Sequence, residues 1–231
     1  MGKGDINFEY YVDYVTKYSK IKLPEALFNN IENDVNKQIM LARFLIRDDD
    51  ANLKSVSLRI FENAMEQFDI IEDTGIKICL LKEMGILYWD IKRDRKNALK
   101  YLNRAFKLAK NSNEIFNFPI EQQIWFDIMT ILFLLGKEKK VLEGCKKIIE
   151  NNFKTLNNKA EDEYTDEDYK KDMYIHYAYL LLAYISLEKG NIESARHYLH
   201  VLAYVSKKFV SVPKDKEIIV EIIDRFYKNP H

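Results

Sequence analysis

His197 and His200 come closest in this chain to a metal-ligand pair, because residues three apart on a helix share a face and can both reach one zinc ion. No HExxH, CxxC or EF-hand pattern lies nearby to supply further ligands, so neither a metal nor any other cofactor is expected. Surface or groove positions suit the histidines better. Acids concentrate in KTLNNKAEDEYTDED, residues 154–168, with six among the eight positions from Glu161 to Asp168. This run lacks the central glycine and terminal glutamate of a calcium loop, and it reads as a solvated acidic loop over 153–168. The sequence contains no G-x-S-x-G elbow, P-loop or dinucleotide-binding glycine pattern. With so few polar groups brought together, an enzyme is not expected.

Two basic stretches remain, Lys92-Arg93-Asp94-Arg95-Lys96 and Lys137-Glu138-Lys139-Lys140. Both fall in turns between helical segments, so stacked hairpins would gather Arg93, Arg95, Lys96, Lys139 and Lys140 on one basic edge. The counterpart in the first hairpin is Asp48-Asp49-Asp50, which makes one end of that edge acidic. Aromatic residues do not interleave the basic turns, and the chain balances 36 Lys and Arg against 36 Asp and Glu. Both facts disfavour nucleic acid as the partner. Cys79 and Cys145 lie within helical patterns, far from CxxC spacing, and are expected to be buried free thiols in a reducing compartment.

The elements that position these residues should be helices. Only seven glycines and four prolines punctuate 231 residues, while 47% hydrophobic content allows a sizeable core. The spacing predicts a helix over about 5–20 with Asp5 as its cap. A long second helix should open at Pro24 and end at the Asp48 to Asp50 break. Further helices are predicted near 51–71, 75–92, 95–111, 119–135 and 139–151. Thr165 and Asp168 form a capping-box pattern for a helix reaching Glu188, followed by a Gly190-Asn191 turn, a helix over 195–209 and a terminal helix opening at Pro213. The N-terminus has no apolar h-region and the longest apolar run is too short to span a bilayer, so a soluble, cytoplasmic protein with no membrane partner is expected.

LLKEMGILYWDIKRDRKNALKYLNRAFKLAK, residues 80–110, raises the question of why Gly85 stands inside a helix, where glycine costs about 1 kcal/mol relative to alanine. Leu81, Met84, Gly85 and Tyr88 match W-x2-L-G-x2-Y, and Ala98, Leu102 and Ala105 match A-x3-F-x2-A. The segment therefore resembles a tetratricopeptide repeat, in which small residues sit where paired helices approach closely. Trp125, Ile128, Met129, Leu132, Gly136, Val141, Cys145 and Ile148 echo the template, as do Tyr179, Leu182, Ala183, Gly190, Ala195, Leu199 and Leu202. Ser57, Phe61 and Ala64 match its second helix only. The anchors Ser57, Ala98, Val141 and Ala195 are spaced 41, 43 and 54 residues apart, longer than the usual period of about 34.

The resemblance implies an all-α, tetratricopeptide-like solenoid of about nine or ten helices in antiparallel hairpins, forming a single domain over 1–231. Its parts would be N-terminal helices over 1–50, repeat-like hairpins over 51–152, the acidic loop, and a C-terminal hairpin with a capping helix over 169–231. In this family the first helix of each pair lines a concave groove that takes up a peptide or a partner helix. The positions transferred onto this sequence are Lys82, Ile86 and Trp89; Phe126, Thr130 and Phe133; and Tyr177, Leu180 and Tyr184. Ile86 stands where the carboxylate-clamping members carry asparagine, which disfavours a chaperone-tail adaptor. The expected function is a non-enzymatic scaffold that binds a protein or peptide in an aromatic groove. An immunity or antitoxin protein occluding a toxin is a sharper form of this reading. The alternatives are an RNA-binding protein using the basic turns and a peptide-responsive bacterial regulator. Homodimerisation through the same apolar surface also stays open.

Overall fold

Side-chain caps account for where most helices begin. The computed structural model of the chain describes residues 6–18, 25–48, 50–112, 120–156 and 165–208. Among them are nine α-helices and no strand: α1 (Phe8–Tyr18), α2 (Val35–Leu45), α3 (Ala51–Glu66), α4 (Thr74–Asp90), α5 (Arg95–Asn111), α6 (Ile120–Leu134), α7 (Glu138–Leu156), α8 (Asp166–Glu188) and α9 (Ile192–Lys208). Asp34, Asp50, Asp73 and Asp94 accept hydrogen bonds from amides in the first turns of α2, α3, α4 and α5. Asn7 does the same for α1 and Asn191 for α9. These bonds satisfy amides that would otherwise have no intrahelical partner. Thr165 and Asp168 form the predicted capping box at the start of α8.

Three expectations need correction. The cap of α1 is Asn7, while Asp5 lies outside the described residues. The predicted long second helix is interrupted: short 3-10 turns at Glu25–Phe28 and Ile31–Asn33 precede α2. Asn30 between them has φ +59°, and Asp34 is extended so that its carboxylate can cap the new helix. The acidic loop is also shorter than 153–168, because α7 extends to Leu156 and α8 starts at Asp166. The terminal helix predicted from Pro213 lies outside the described residues.

The chain divides into two compact units, Met1–Asn117 and Phe118–His231. In the first, Leu41, Leu45, Leu58, Ile60, Phe61, Leu80 and Met84 form a shared core among α2, α3 and α4. α5 joins this unit through Ala98, Leu102, Ala105 and Ala109, its only buried residues. Gly85 is where α4 and α5 meet. A Cβ there would lie 2.6 Å from Leu102 Cγ and 3.1 Å from the Ala98 carbonyl oxygen, closer than packed atoms tolerate. The helical glycine thus permits the close approach of α4 and α5.

The second unit contains α6 to α9, with Ile124, Ile128, Val141, Cys145, Ile175, Leu181, Ala195 and Leu202 buried. Among the described residues, the turns at Gly136 and Gly190 share one geometry. Each glycine has positive φ, and the residue after it donates to the carbonyl five positions back: Lys137 N to Leu132 O at 2.9 Å, Asn191 N to Ser186 O at 2.8 Å. This is the Schellman ending of a helix, which favours glycine because a Cβ is strained there. In the α4–α5 turn Arg93 adopts the left-handed conformation instead, at φ +52°.

The helices alternate in character. Buried residues run round much of α4 and α8, whereas α5 buries one narrow stripe. A helix apolar on several sides must be enclosed by neighbours, and a one-sided helix lies outermost. In agreement, α8 packs against α6, α7 and α9, and α4 packs against α2, α3 and α5.

Candidate partner-binding face

In the second unit α6 and α8 lie side by side through a row of ring pairs. Trp125 meets Tyr174 edge-on with centroids 5.9 Å apart, Phe126 meets Tyr177 at 5.5 Å, and Phe133 meets Tyr184 edge-on at 6.1 Å. Residue numbers rise together on both helices, so α6 and α8 run parallel. Such pairs contribute about 0.5–1.5 kcal/mol each beyond the area they bury. Polar contacts reinforce the same seam. The Tyr174 hydroxyl donates to Glu121 Oε1 at 2.5 Å, and Gln122 Nε2 donates to the Lys170 carbonyl at 3.2 Å. Burial first, and then this bond to a carboxylate, push the Tyr174 hydroxyl well above the ordinary tyrosine range.

The expected groove residues therefore divide into two sets. Phe126, Thr130, Phe133 and Tyr184 are half-buried on α6 and α8 and keep part of their surface open. Tyr177 is only 3% exposed and Leu180 is fully buried. Tyr177 was expected to meet a partner, but its ring is covered by packing against Phe126, so it supports the face instead of presenting surface. Leu134, next to Phe133 at the end of α6, is 43% exposed and adds apolar surface at that end. In the first unit Lys82, Ile86 and Trp89 are half-buried along α4, one helical turn apart.

The basic turns are exposed as expected. Arg93, Arg95 and Lys96 surround the start of α5. Lys139 and Lys140 line an open, shallow depression at the start of α7 with Gly136, Lys137 and Glu143. The Lys139 to Glu143 pair at 4.0 Å is highly exposed and contributes little. Glu138 accepts from Lys189 Nζ at 2.5 Å, which ties the start of α7 to the end of α8.

A feature the sequence reading missed lies within α8. Asp168, Asp172 and His176, spaced four apart, form a buried polar stripe at 2%, 3% and 6% exposure. Asp168 is held by the Thr165 hydroxyl at 2.6 Å and the Thr165 amide at 3.0 Å. The surface or groove placement expected of the histidines holds for His197 and His200, which are exposed, but fails for His176. His231 lies outside the described residues. The i, i+4, i+8 spacing was the available signal, although an acidic stripe ordinarily marks a wet helix face. Among the described residues, no three His, Cys, Asp or Glu side chains are grouped to hold a metal ion. Cys79 and Cys145 are buried free thiols, and burial raises the pKa of both, that of Cys145 to about 12.

No protein-family model matches the chain, and no curated protein matches it. Among the described residues no helix is long and apolar enough to cross a membrane.

Proposed function

We propose that this chain is a non-enzymatic, tetratricopeptide-like scaffold that binds a peptide or protein segment along the face shared by α6 and α8. The observation that carries the reading is the parallel row of ring pairs, which leaves Phe126, Phe133 and Tyr184 half-open above a buried layer containing Trp125 and Tyr177. Rigid aromatic surface of this kind supplies binding energy at small entropic cost, and a supporting layer keeps it from collapsing inward. The solenoid reading is supported by Gly85 at a close helix approach, the matched Schellman turns at Gly136 and Gly190, and the alternation of enclosed with one-sided helices.

The test is to select binders from a displayed random-peptide library against the wild-type chain. The Phe133→Ala/Tyr184→Ala variant, shown to be helical and to melt cooperatively, then serves as the comparison. Selected peptides should share apolar anchors and bind the variant about tenfold or more weakly, as expected for loss of two aromatic anchors. Peptides that bind both proteins equally would remove the α6–α8 face as the binding site.

A further inference from the structure

The helix α5 has a second face that the aromatic-groove reading does not use. Its packing stripe is Ala98, Leu102, Ala105 and Ala109. On the opposite side, at helical spacing, stand Lys96, Lys100, Arg104 and Lys107, with Lys110 at its margin, all exposed. The helix contains no acidic residue. Arg95 at the first position of the helix and Lys92 and Arg93 in the turn before it are also exposed, and the carboxylate of Asp94 in that turn is occupied in capping by the Asn97 amide at 3.0 Å and Asn97 Nδ2 at 2.6 Å. None of these cations has a carboxylate within ion-pair distance among the described residues. Arg104 and Lys100 instead lie over the rings of Phe68 and Tyr101, at 5.2 and 5.8 Å. Elsewhere on this neutral chain the charges are mixed, so a helix with cations alone is a local departure from its surroundings.

From this we infer that the outer face of α5 and the α4–α5 turn form a docking surface for an acidic segment, rich in aspartate and glutamate, of a partner protein. The distance from Lys96 to Lys110 is about 21 Å along the helix. About six residues of extended peptide cover that length. Charge complementarity of this sort steers association and sets orientation more than it adds affinity. Two observations favour a carboxylate-bearing segment over nucleic acid. The aromatic residues of α5, Tyr101 and Phe106, are half-buried and stand to the side of the stripe, and Tyr101 is tilted against Tyr88 at 5.3 Å, so no exposed ring interleaves the cations for a base to stack on. The chain is also neutral overall, so a long polyanion running past the stripe would meet as many acids as cations.

The surface is tested on the full chain by fluorescence anisotropy with three probes: a labelled peptide of alternating glutamate and aspartate, a single-stranded RNA and a duplex DNA of similar length. Lys100→Glu/Lys107→Glu is compared with Lys146→Glu/Lys147→Glu, which makes the same change of charge on α7. The first variant can form new pairs on α5 with neighbours such as Lys96 and Arg104, and circular dichroism checks that both fold. The acidic peptide should bind in low salt and weaken as salt rises. It should lose about tenfold or more in affinity in the α5 variant while the α7 variant stays close to wild type. Tighter binding of RNA or DNA than of the peptide would overturn the assignment of an acidic protein segment. Absence of peptide binding, or equal loss in both variants, would overturn the surface itself.

Discussion

The Tyr174 hydroxyl lies 2.5 Å from Glu121 Oε1, joining α8 to α6 across 53 positions of sequence. Two further tyrosines make comparable bonds to carboxylates: Tyr88 to Glu62 at 3.0 Å, from α4 to α3, and Tyr14 to Asp48 at 2.7 Å, from α1 to the residues after α2. In each case a ring packs between helices while its hydroxyl anchors an acid. The chain thus uses tyrosine to combine apolar packing with one directional bond.

Tyr174→Phe should lower stability at pH 7 by about 1–3 kcal/mol, the range for a hydrogen bond to a charged group. Burial of the Tyr174 hydroxyl, and after it the bond to Glu121, also set a pH dependence. The folded-state pKa of Tyr174 is raised above its unfolded value, so its contribution is intact below about pH 10 and is lost as the pH rises further. Urea melts at pH 7 and pH 10.5 should show the wild type losing more stability than the variant. A variant with the same alkaline loss as wild type would assign the effect to other groups.

Gly85→Ala should destabilise by about 1–3 kcal/mol, because its methyl would meet Leu102 and the Ala98 carbonyl. Gly144 in α7 is the contrasting case. A Cβ there finds only Met129, at an ordinary 3.6 Å, so Gly144→Ala should stabilise by about 0.5–1 kcal/mol through helix propensity. Opposite shifts in melting temperature for the two substitutions are the expected result. A neutral Gly85→Ala would show that α4 and α5 can separate without cost.

Thr165→Ala removes the hydroxyl's two bonds to Asp168 while leaving the Asp168 carboxylate on the residue-165 amide, and should cost about 0.5–2 kcal/mol. Its effect should appear in hydrogen exchange as faster exchange of amides in the first turn of α8, with the Gly190 end unchanged. Uniform acceleration along α8 would mean that the cap governs the whole helix.

Cys79 and Cys145 should resist a thiol reagent in native buffer at pH 8, since burial both blocks access and holds them protonated. Both should react once the chain is unfolded in denaturant. Rapid modification of Cys145 without denaturant would place an opening between α7 and its neighbours.

Much of the architecture was legible in the residues because local physics decides it. Helical spacing set the hairpin of α4 and α5 nearly to the residue, and Thr165 with Asp168 announced the start of α8. Gly136 and Gly190 marked turns that need positive φ, and Gly85 marked a place where a side chain has no room. Each of these depends on a few neighbouring residues or on one paired helix. The interruption before α2 escaped the pattern because Asn30 in a left-handed conformation and Asp34 as a cap compete with a helix that the apolar spacing would allow. The candidate face was only half readable. The family resemblance named Phe126, Tyr177, Phe133 and Tyr184 as groove positions, but it could not say that Phe126 would cover Tyr177, and spacing could not say that Asp168, Asp172 and His176 would be buried. Periodicity tells which residues share a face. Which face is then enclosed depends on neighbours dozens of positions away, and only the packing of α6, α7 and α9 around α8 decides it.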